Sequence, residues 1–162
     1  MAWFRKRKQS DAAAASRELR QQALSVSASD LGLSPGGSKV WGVMMETAFP
    51  EAVATLVSFA DGTTSLYLSS GGGTIGAGDH ASVRTAAEAF LQIANDHLAN
   101  FSPAHEFPLP EEGHVRFYVH TFDGVLTAER LEEELGEERD SLAPVFHAGH
   151  AVIGAIRELD GS

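Results

Sequence analysis

Residues 52–69, AVATLVSFADGTTSLYLS, decide how the chain folds. Val53, Thr55, Val57 and Phe59 recur at every second position, the period of a strand with one buried face. Asp61-Gly62 then supplies a two-residue hairpin turn, because glycine accepts positive φ at no steric cost and aspartate visits it more readily than most residues. Thr63–Ser69 is the returning strand. A sheet that opens on so tight a turn is antiparallel there, since parallel neighbours need a long crossover.

The rest of the chain reads outward from that hairpin. Upstream, residues 40–47 (VWGVMMET) form a short apolar run that predicts a buried strand, broken by Phe49-Pro50. Downstream lies a Gly-rich stretch, SSGGGTIGAG at 69–78. Val83, Ala87, Phe90, Leu91, Ala94, Leu98 and Phe101 then step by three and four, placing one apolar stripe on a helix. Asp79 or Ser82 is its expected cap, and the Pro-rich segment 103–113 follows as a loop. Val115, Phe117, Val119 and Thr121 alternate with Arg116, Tyr118 and His120, which predicts a strand with its polar side toward solvent. Asp123-Gly124 is a second hairpin signal, leading into Val125–Ala128. Residues 129–140 are an acidic connector, helical or loop. Leu142, Val145, Phe146, Val152, Ile153 and Ile156 mark a second amphipathic helix, with Ser141 as its expected cap and Pro144 in the first turn, where its missing N–H costs nothing.

This order predicts an α+β fold: a largely antiparallel five-stranded sheet covered by two amphipathic helices, in the order (α)βββαββα. Residues 1–38 read as a basic N-terminal tail with a possible short helix over 9–24 and a Gly/Ser/Pro linker over 32–38. Residues 39–162 read as a single α+β domain.

Composition limits the function. The 162 residues are 43% hydrophobic, enough for a sizeable core, yet no run of about 18 apolar residues suggests a membrane span. The basic start is followed by polar residues, so a secretory signal is not expected, and the lack of cysteine suits a reducing, cytoplasmic setting. Residues 1–22 hold six cations against two acids, a net +4. The total of −10 therefore leaves −14 on residues 23–162. An acidic body repels phosphate backbones, so no nucleic-acid partner is expected.

Four features carry candidate chemistry. Gly71–Gly76 fits G-x-G-x-x-G. With Ser70, Gly71, Gly73, Gly76 and His80 it could offer backbone N–H groups to an anion, or be a tight turn, since no βαβ unit surrounds it. His147 and His150, three apart on the last helix, could share a metal, or simply flank the apolar stripe. Trp3, Phe4, Arg5, Lys6, Arg7 and Lys8 combine aromatic and cationic groups that suit weak peripheral contact with an anionic membrane or a partner, or a plain terminus. The acidic run 129–140 could dock a basic partner, or form a solvated face. Nothing converges as a catalytic set, and no cofactor is implied: there is no G-x-S-x-G, and His120 beside Asp123 is the one weak acid–base pairing. The expectation is a non-catalytic protein-interaction module that is homo-oligomeric. The alternative is a small-molecule or anion binder built on residues 69–78.

Overall fold

The hairpin of residues 52–69 forms, with a three-residue loop over 60–62 rather than two residues and with residues 55–59 buried on both faces, and the sheet grows from it in both directions. The computed structural model describes the backbone of residues 2–159 and the side chains of residues 11–159. A helix α1 (Ala2–Ser25) precedes strands β1 (Val40–Ala48), β2 (Val53–Phe59), β3 (Thr64–Leu68) and β4 (Gly73–Thr74). Helix α2 (Ala81–Asp96) leads to β5 (Ser102–Pro103), β6 (His114–Thr121) and β7 (Gly124–Leu131). A one-turn helix α3 (Glu132–Gly136) and the long α4 (Ala143–Leu159) close the chain.

The fold is α+β and every strand pairing is antiparallel. The sheet has seven strands rather than five, in the order β4-β3-β2-β1-β6-β7-β5. The two additional strands are two residues long and lie at the two edges. They contain Gly73 and Pro103, and so short a piece has no period to read. The acidic connector departs from the helix-or-loop expectation at its start, where β7 runs on through Glu129 to Leu131, and α3 then takes Glu132–Gly136.

Strand β1 is central and buried along its whole length. On the inner face, α2 and α4 lay their stripes over Val43, Met45, Leu56, Val115, Phe117 and Val119. Val83, Phe90, Val152 and Ile156 complete that core. Gly149 lets α4 approach closely, since a Cβ there would lie 2.7 Å from the Met45 sulfur. The expected caps differ. No side chain caps α2, whose N-cap is His80. Asp140 rather than Ser141 receives the Leu142 N–H before α4, and the Ser141 hydroxyl bonds Asn100 instead.

The outer face overturns the reading of residues 115–121 as a strand open on one side. Tyr118 and His120 are fully buried there, because α1 and the segment after it lie across that face. Ala23 and Leu24 of α1 pack with Trp41, Met44, Val57, Phe59, Tyr67 and Tyr118. Val26, Ala28, Leu31 and Leu33 extend the cover. The apolar contribution of α1 is small, and the Arg20–Glu46 ion pair adds to it.

Candidate functional site

Two places gather chemistry, one on each side of the sheet. On the inner face, α4 covers the centre of the sheet and leaves the β3 corner open. A groove of about 300 Å³ remains there. Its walls are Leu66, Leu68, Ala54 and Phe49 from the sheet, and Ile153 and Ile156 from α4. His150, Arg157, Thr47 and Thr74 bring polar groups to the same space. Phe49 is 45% exposed and Leu68 39% exposed, so the rim is an uncovered apolar patch. Such patches are informative because most large apolar side chains on a folded domain find cover.

The groove unites two features that lie far apart in the sequence. Gly73 of the Gly-rich stretch and His150 of the last helix both line it. The other residues proposed with Gly73 do not join them as one site. Ser70 is exposed at the tip of a turn in which the Gly71 N–H donates to the Leu68 carbonyl. Gly71 packs against Ala12 of α1. Gly76 has φ +76° with open space around it, and His80 stands exposed at the start of α2. The Gly-rich stretch is thus a β-hairpin that returns β4 onto β3.

His150 sits against Phe146, ring centroids 4.4 Å apart. Burial, then the nearby charges of Arg157 and His147, hold its pKa below the usual imidazole range. His147 points elsewhere, toward Glu138 at 3.8 Å. The two histidines gather no third ligand among the described residues. The one set of metal-capable groups found there is Glu111, His114 and Glu129, with ligand atoms within 4.8 Å of one another. Glu129 is already engaged by Arg116 at 2.8 Å. The side chains of Trp3, Phe4, Arg5, Lys6, Arg7 and Lys8 lie outside the described residues. No described helix is long and apolar enough to cross a membrane.

On the outer face, Glu46 is wholly buried in mid-strand and is held by Arg20 of α1 through two hydrogen bonds of 2.8 and 2.9 Å. The Thr55 hydroxyl donates a third, at 2.7 Å. Arg20 also donates to the carbonyls of Phe107 and Pro108, which ties down the Pro-rich loop. Burial opposes the charged guanidinium, but the Glu46 carboxylate outweighs it and raises the Arg20 pKa. Nearby, a bulge in β1 at Val40–Gly42 and the absence of a side chain at Gly42 make room for an aromatic cluster. Trp41 and His120 stand 4.7 Å apart, and Phe59 lies 5.6 Å from His120. Burial pushes the His120 pKa down to about 4, partly countered by a hydrogen bond to the Ala23 backbone. His120 is therefore a neutral core residue that fastens α1, not an exposed base beside Asp123. Three polar atoms under α1 have no partner among the described residues: Trp41 Nε1, Tyr67 Oη and His120 Nε2.

No protein-family model matches the chain, and no curated protein or solved structure shows significant similarity to it.

Proposed function

We propose that the protein is a non-catalytic interaction module that self-associates and docks a short apolar segment of a partner protein in the inner-face groove. The observation that carries this reading is that Phe49 and Leu68, both exposed, stand over one groove floored by Leu66, Ile153 and Ile156. A leucine or phenylalanine anchor would remove that patch from water at about 25 cal/mol per Å² of apolar area buried. The test is selection of peptides from a random library on the immobilised full chain, followed by mapping of bound peptides by NMR. Enriched peptides with an apolar anchor should perturb Phe49, Leu68 and Ile153, and Leu68→Asp should abolish them. Failure to enrich any such peptide would remove the reading.

One observation favours the alternative, a small-molecule or anion binder. Thr74 and Gly73 of the hairpin, with His150 and Arg157 of α4, converge on a cavity near the lower end of ligand-pocket sizes, roughly 300–1,000 Å³. Thermal stabilisation by members of a metabolite panel, lost in His150→Gln, would support it over peptide docking.

A further inference from the structure

We propose that α1 is exchanged between two copies of the chain, so that Arg20 of one copy closes on Glu46 of the other. The inference rests on the self-association part of the interaction reading and names its surface. It does not depend on the inner-face groove.

The first argument is charge. A carboxylate buried at the centre of a sheet requires a cation, and among the described residues only α1 delivers one to Glu46. Residues 1–22 carry net +4 and the remainder −14, so the segment is attracted to any acidic body of this kind, its own or a second copy's. The second argument is the hinge. Residues 26–33 pack with the outer core, whereas residues 34–39 (SPGGSK) are exposed and outside any helix or strand. Six residues reach about 20 Å when extended, and Pro35 favours an extended path. The whole unit from α1 to Leu33 can therefore leave as one piece and seat elsewhere.

The third argument is the uncovered rim beside the pair. Next to Arg20, the rim carries exposed apolar side chains, Phe107 at 39% and Leu109 at 47%. Exchange preserves every α1 contact while bringing two bodies together along this rim, where Phe107 and Leu109 can be covered. Exchange of an element through a short hinge is an inexpensive route to a symmetric dimer.

The test uses two full-length variants, Arg20→Glu and Glu46→Arg. Each alone sets like charges against each other at the pair. In an exchanged heterodimer the reversed helix of one meets the reversed strand of the other at one site, and the native Arg20–Glu46 pairing forms at the second. A 1:1 mixture should form a heterodimer by native mass spectrometry, with a Tm at least 5 °C above either variant alone. A mixture that melts as the sum of its parts would overturn the proposal. Because charge reversal can impair folding, wild-type chains of two isotopic masses are mixed as well. Mixed-mass dimers should appear, and should give way to monomer when Gly-Ser residues lengthen the segment 34–39. A wild-type monomer at every concentration would sink both exchange and self-association. A dimer unaffected by the longer hinge would sink exchange alone, leaving another interface to find.

Discussion

Arg20 and Glu46 form a two-pronged ion pair across the outer face, 2.8 and 2.9 Å, with the carboxylate fully buried and the guanidinium partly exposed. Removing one partner of such a pair strands the other charge, which typically costs about 3–5 kcal/mol. Arg20→Ala should therefore destabilise the fold by about 3 kcal/mol in urea titration. The double variant Arg20→Met/Glu46→Leu should recover most of that loss, because no charge is left behind. A double variant as unstable as the single would show that the pair acts through shape rather than charge.

His120 gives the fold a pH dependence. Its folded pKa of about 4 lies below the unfolded value near 6.5. The unfolded chain thus binds the proton more readily, and stability falls as pH drops from about 6.5 toward 4, then levels off for this residue. The full difference is on the order of 3 kcal/mol. His120→Gln should flatten this part of the stability profile relative to wild type. Parallel profiles for the two proteins would contradict the burial argument.

Glu138 ends α3 in the left-handed region, φ 61°, where its N–H bonds the Leu135 carbonyl and the Arg139 N–H bonds that of Glu134. This is the position that glycine favours after a helix. Glu138 is exposed, so little packing is lost on replacement. Glu138→Gly should stabilise by about 1 kcal/mol, a Tm rise of about 2–4 °C by calorimetry. A fall would mean that contacts of the Glu138 side chain outweigh the relief of strain.

Two further glycines should respond in opposite senses. Gly154 lies inside α4 with open space where a Cβ would go, so Gly154→Ala should stabilise by about 0.5–1 kcal/mol. Gly78 is buried, and a Cβ there would overlap the backbone oxygen of Gly62. Gly78→Ala must push the β2–β3 turn away from the start of α2 and should cost more than about 2 kcal/mol. Equal Tm values for the two variants would refute the packing described at this corner.

The inner half of the fold was legible because its physics is periodic. Val83, Ala87, Phe90 and Ala94 fall on one helix face, and Val115, Phe117 and Val119 alternate along a strand. The outer half was not, because its cover rests on one arginine and on scattered residues, Leu19, Ala23, Leu24, Val26, Ala28, Leu31 and Leu33, that make no broad helical stripe. His120 is a polar type at a position that a period-two pattern assigns to water, and Glu46 and Thr55 are polar types inside strands that read as apolar. What buries them is a helix whose own sequence carries no broad apolar stripe. The groove was half legible. Gly73 and His150 each attracted notice, but only the chain path that lays α4 over β3 brings them together. Phe49 and Leu68 looked like ordinary strand-end residues, and nothing local marks them as uncovered.

The two-residue strands at either border of the sheet carry one more consequence. Open borders of longer strands present rows of free N–H and C=O groups that recruit identical chains into fibrils. Here β4 and β5 each offer only a two-residue ladder, interrupted by Gly73 and by Pro103, which has no N–H to donate. A copy that approaches through either of these two short strands therefore finds little ladder to extend.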